Sequence, residues 1–216
     1  AIVVLAVVIY KTAFQKHQFK PVNPAFREYV QAFTTGVVST HSTIKVRLAN
    51  DYADSALFNQ EVTEKLFGFS PKIKGKAYWV DSRTIEFRPD EKLPPKKFYE
   101  AEFYLSKLLK VPDSLKTMEF QFQTMQQDYE VIVDNHKAYN KSDLSREKLY
   151  GRILTADVVV DKDLEKVLTA TQNDKNLKIT WVHDAANKTH YFQIDSVMRT
   201  NKKSYVTLSY KGKAIQ

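Results

Sequence analysis

Two imidazoles and a carboxylate lie close together in the sequence at His183, Asp184 and His190. Such a set could hold a metal ion or move a proton, because neutral imidazole and carboxylate are both ligands and bases. The histidines are seven residues apart across a turn, which matches no metal-binding spacing, so they read as structural and no metal ligand is assigned. His41 stands beside Ser39, Thr40 and Ser42, a hydroxyl-rich setting that invites a hydrolase reading. It lacks a Gly-x-Ser-x-Gly elbow and a neighbouring acid to orient the imidazole, so no catalytic residue is assigned. Asp157, Asp161 and Asp163 lack the glycine and closing glutamate of a calcium loop. Trp79 and Trp181 could stack sugars, but each lies in an alternating apolar pattern that points to core packing. No cofactor-binding residue is expected.

Covalent modification has more sequence support. Asn140-Lys141-Ser142 and Asn187-Lys188-Thr189 match the N-glycosylation sequon. Ser55, Ser114 and Ser196 each follow an aspartate and precede an apolar residue, the pattern some bacterial envelope proteins use for O-linked sugars.

The elements that must carry these residues are short strands. From Thr84 to Arg88, Ile85 and Phe87 alternate with Thr84, Glu86 and Arg88, which predicts one dry and one wet face. Ile44, Val46 and Leu48 alternate with Lys45 and Arg47, and Met118, Phe120 and Phe122 alternate with Glu119, Gln121 and Gln123. Asp81-Ser82 supplies a tight turn, and Pro94-Pro95 excludes both helix and central strand. Val62–Leu66 reads as a helical turn, and helical spacing continues the same expectation over Asp163–Ala170. A second alternating set begins at Tyr129, Val131 and Val133 and recurs at Leu177, Ile179 and Trp181. The fold class is therefore all-β: two tandem antiparallel β-sandwiches, over 24–126 and 127–216, with a polar boundary at Gln126–Asp128.

Phe69-Ser70-Pro71, Gly75-Lys76-Ala77-Tyr78-Trp79, Arg83-Thr84-Ile85-Glu86-Phe87-Arg88-Pro89-Asp90 and Leu93-Pro94-Pro95 form a restrictive series. It resembles the first macroglobulin-like domain of bacterial alpha-2-macroglobulins. The run from Tyr29 to Ser39 resembles that family's first strand, and Leu177–Trp181, His183-Asp184, Thr189-His190 and Val206–Ser209 resemble its second domain. The resemblance implies the N-terminal, structural part of a large envelope protein that presents a bait segment to proteases and, in many members, traps them through a Cys–Gln thioester. Bait and thioester would then lie outside this segment. The alternative is a scaffold or accessory subunit of an envelope assembly with no inhibitor role.

Composition fits that expectation. The chain has no cysteine, which excludes disulfides, thiolate zinc sites and a thioester from this segment. The net charge of +8 is dispersed: residues 24–126 carry 15 bases against 13 acids, and 127–216 carry 15 against 12. Such dispersal reads as solvated strand faces, and no nucleic-acid partner is expected. Residues 1–23 carry three lysines and no acid. Ile2, Val3, Val4, Leu5, Val7, Val8, Ile9 and Tyr10 are read as an apolar helix anchoring the chain to a membrane, with Pro21–Pro24 as a stiff linker. About 20 apolar residues are needed to span a bilayer, so the anchor requires more apolar sequence upstream; a signal peptide or a buried helix are the competing readings. The expected partners are the remaining domains of the same polypeptide, the membrane, and proteases or other envelope proteins. The expected location is the cell envelope, in the periplasm or at the surface.

Overall fold

The computed structural model of the protein describes residues 19–140, 142–200 and 203–215. The apolar run Ile2–Tyr10, read as an anchoring helix, lies outside the described residues. No helix among the described residues is long and apolar enough to cross a membrane. The fold is mostly β and β-sandwich-like, built from several antiparallel sheets. Its residues fall into two compact units. One holds the described residues up to Gly36, with Thr43–Glu91 and Phe98–Gln123; the other holds Val37–Ser42, Lys92–Lys97 and the described residues from Thr124 onward.

In the first unit, β1 (Val30–Phe33), β3 (Ile44–Leu48), β6 (Thr84–Pro89) and β5 (Gly75–Trp79) form one sheet, in the order β1-β3-β6-β5. β8 (Met118–Thr124), β7 (Phe98–Phe103) and β4 (Phe67–Ser70) form a second sheet, in the order β8-β7-β4, and this unit's first segment ends at the start of β2 (Gly36–Val38). Aromatic rings join the two: Phe87 of β6 lies 4.7 Å from Phe69 and 5.7 Å from Phe67 of β4, and Phe33 of β1 lies 5.5 Å from Phe120 of β8. Ile44, Val46, Ile85, Phe103 and Phe122 are fully buried between them. Each such side chain contributes about 1.5–3 kcal/mol relative to exposure.

β6 departs from simple alternation. Thr84 and Glu86, expected on the wet face, are buried along with Ile85 and Phe87. β6 lies between β3 and β5, and long polar side chains cover its outer face. Glu86 is held by Lys45 at 3.2 Å, Arg88 at 2.7 Å and the Thr43 hydroxyl at 2.8 Å. Arg47 Nη1 donates to Thr84 Oγ1 at 2.8 Å. The Asp81 turn forms as expected, its Oδ1 accepting from the amides of Arg83 and Thr84 at 2.8 Å each. Val62–Leu66 is not helical: Glu61 bridges Tyr78, Val62 N donates to Ala77 O at 2.8 Å, and the chain bends at Glu64 before entering β4.

In the second unit, β13 (Ile179–Asp184), β14 (Thr189–Met198), β10 (Asp143–Thr155) and β9 (Tyr129–Asn140) make one sheet, in the order β13-β14-β10-β9. β12 (Lys175–Asn176), β11 (Leu168–Gln172) and β15 (Val206–Tyr210) make another. Ile153, Phe192, Ile194, Leu168 and Ala170 meet in a core that Trp181, Val206 and Leu208 flank. The only α-helix among the described residues, α1 (Asp161–Leu164), is a single turn leading toward β11, shorter than the spacing over Asp163–Ala170 predicts. The β-branched residues from Leu168 suit a strand better than a helix.

Asp157 explains why Val37–Ser42 belongs to this unit. Asp157 is 2% exposed, and its Oδ2 accepts from Thr40 N and Thr40 Oγ1 at 2.8 Å each. Its amide donates to Gln127 Oε1 at 2.9 Å, while Gln127 Nε2 and Thr155 Oγ1 donate to its carbonyl. Leu93 N donates to Thr40 O at 2.9 Å, which brings in Lys92–Lys97.

Candidate metal centre

β13 and β14 form an antiparallel hairpin whose closing pairs are Asp184↔Thr189 and His183↔His190. Directly paired residues in antiparallel strands project to the same face. The seven-residue separation therefore brings the two imidazoles together, contrary to the expectation from spacing. His183 Nδ1 and His190 Nδ1 are 2.9 Å apart, with ring centroids at 5.1 Å. Asp184 follows His183 directly on the strand and so projects to the other face. Its carboxylate instead accepts from Asn187 N at 3.2 Å and Asn187 Nδ2 at 2.8 Å across the turn.

The acids of the cluster come from α1 and the residue after it. Asp161 Oδ1 lies 3.6 Å from His183 Nδ1, and Glu165 Oε1 lies 3.2 Å from His183 Nε2. One helical turn separates these acids, so both reach the hairpin. Donor atoms of Asp161, His183 and His190 all lie within 4.8 Å of one another. The site sits at the rim of the core: Trp181 stacks on His183 at 5.9 Å and meets Phe192 edge-on at 5.7 Å.

Burial divides the roles. His190 is 1% exposed, and its Nε2 has no hydrogen-bond partner among the described residues. Burial, and then the neighbouring His183, push its pKa below the usual imidazole value, so it is held neutral with a lone pair to offer. The His183 side chain is 14% exposed and that of Asp161 51%, so the acid side is open to solvent. His183 Nε2 faces Glu165 Oε1, while its Nδ1 faces both His190 Nδ1 and Asp161 Oδ1.

The other candidates separate. His41 Nδ1 is 3.3 Å from Thr40 Oγ1, and that hydroxyl reaches Asp157 at 2.8 Å. The fold thus supplies an acid that the sequence did not reveal, but in the wrong order. The acid takes the hydroxyl proton directly, whereas nucleophile activation needs the imidazole between acid and hydroxyl. Asp163 pairs with Lys166 at 2.7 Å, so Asp157, Asp161 and Asp163 have three different roles. Trp79 is 5% exposed and stacks on Tyr52 at 5.3 Å, as core packing requires. Ser55, Ser114 and Ser196 are all exposed; Ser55 Oγ donates to Asp54 Oδ1, and Ser196 has a φ of 61°.

No protein-family model and no curated protein sequence matches this chain. Two solved structures of L,D-transpeptidase 3 from Mycobacterium tuberculosis are similar to part of it. The complex with a faropenem-derived adduct matches at 14% identity over 57% of this chain and 46% of that one, with a TM-score of 0.31. The structure at 1.32 Å resolution matches at 13% identity over 56% of this chain and 44% of that one, also with a TM-score of 0.31. The match thus spans less than half of those chains, and a likeness of this depth carries no inference.

Proposed function

We propose that this chain is the N-terminal framing and anchoring portion of a bacterial alpha-2-macroglobulin-like envelope protein, with the protease-trapping parts elsewhere in the polypeptide. The observation that supports this reading is where the resembling residues sit. Phe69 and Phe87 join the two sheets of the first unit, and Trp79, Ile85, Leu93 and Tyr99 are buried. A Cβ on Gly75 would collide with the Arg88 carbonyl and the Phe87 ring. A series so committed to packing suits a frame that positions other domains.

The test has two arms. The 216-residue chain, incubated with serine, cysteine and metalloproteases, should leave their activity unchanged, while the native polypeptide should retard a protease on a native gel. The native polypeptide should also have a mass well above 25.0 kDa. Dose-dependent inhibition by the 216-residue chain alone, beyond substrate competition, would refute the framing role. A large native polypeptide that traps no protease favours the envelope scaffold.

A further inference from the structure

We infer that Asp161, His183 and His190 form a binding site for a divalent transition-metal ion of the zinc class, with Glu165 as the outer acceptor that orients His183. Three observations carry this. First, tetrahedral zinc with bonds near 2.0–2.1 Å places neighbouring donor atoms about 3.3 Å apart, and the separations of 2.9 and 3.6 Å around His183 Nδ1 bracket that value. Second, metal-bound histidines characteristically donate their other ring N–H to a carboxylate, which is the relation of His183 Nε2 to Glu165 Oε1 at 3.2 Å. Third, His190 is 1% exposed and its Nε2 has no hydrogen-bond partner among the described residues, so a buried imidazole of the cluster keeps polar capacity that its protein neighbours do not satisfy. Two imidazoles and one carboxylate suit zinc, cobalt or nickel rather than calcium or magnesium, which prefer all-oxygen shells. The ion would tie the β13–β14 hairpin to α1 over the rim of the core. Three protein donors leave a fourth tetrahedral position for water. This inference is independent of the function proposed above.

The test uses the untagged 216-residue chain, freed of metal by chelator and titrated with Zn²⁺ and with Co²⁺. Saturable binding of one Zn²⁺ per chain is expected, with visible Co²⁺ bands of four-coordinate intensity. Replacing buried His190 endangers the fold itself, so the decisive variants are at the accessible acids. Asp161→Ala should weaken Zn²⁺ binding at least about 10-fold and Glu165→Ala about 10–100-fold, whereas His136→Ala on the β9–β10 hairpin should leave it unchanged. The proposal is overturned if the parent chain gives no saturable binding and no Co²⁺ band, as when a second proton on His183 is the only occupant. Unchanged affinity in both acid variants overturns it too, because the ion then sits elsewhere.

Discussion

Asp157 buries a carboxylate against Thr40 N, Thr40 Oγ1 and Val158 N, each donating at 2.8 Å. Burial alone would raise its pKa, but the hydrogen bonds from Ser39, Thr40 and Val158 together outweigh it and hold the pKa below the usual carboxylate value. A depressed folded-state pKa stabilises the fold above the unfolded value, about 3.9, and that stabilisation is lost as pH falls through the folded value. Asp157→Asn turns an amide donor toward donors and should cost about 1–3 kcal/mol in urea unfolding at neutral pH. The gap between parent and variant should narrow below about pH 4. A gap that stays constant, or widens, on acidification would show that the carboxylate's charge is not what the site uses.

The strands and turns differ in how firmly they are held. The sequence reads Gln126–Asp128 as a polar boundary and, with Asn140–Arg146, as a place of early cleavage; Gln126 and Asp128 are exposed, but the segment is pinned at Met125 and Gln127. Met125 N donates to Val38 O at 2.8 Å, and Gln127, 6% exposed, exchanges bonds with the Asp157 backbone. By contrast, the far half of the β9–β10 hairpin carries exposed side chains from Asp134 to Tyr139 and from Leu144 to Arg146. Cleavage requires local opening, which is easiest where few apolar contacts must break. Limited proteolysis with a protease of broad specificity, such as proteinase K, should therefore cut first between Lys137 and Arg146, and only later near Gln126–Asp128. First cuts within Thr84–Phe103 would mean the first unit's central strands are not the stable part of the chain.

At the scale of the whole molecule, the envelope reading rests on Ile2–Tyr10. In that reading the ten uncharged residues Ala1–Tyr10, followed by Lys11, Lys16 and Lys20, suit a bilayer edge at which Tyr10 and Phe14 would lie, whereas Phe19 stacks on Phe98 of β7. Carbonate washing of membranes should retain the native polypeptide and release a version lacking everything before Pro21. Release of both would mean that the apolar run is a cleaved leader or a packed element, and the tether would be abandoned.

How much of this was legible in the sequence depended on the range of the interactions. Strand alternation at Ile44–Leu48, and at Met118–Phe122 apart from the buried Gln121, reads directly as burial, because side-chain direction along a strand is a local property of the backbone. The Asp81 turn is legible for the same reason, its bonds reaching only two and three residues along the chain. Pairing register and long-range partners are not local. The burial of Glu86 depends on Lys45, 41 positions away, and Arg88; the role of Asp157 depends on Thr40, 117 positions away. The cluster at His183 and His190 lies between these cases. A hairpin turn at Ala185–Lys188 was already readable, and pairing outward from it would have placed the two histidines opposite each other. Asp161 and Glu165 had no such signal, since only the packing of α1 over the end of β13 brings their carboxylates to His183. Local patterning decided which faces are dry, and tertiary structure alone decided which polar groups meet.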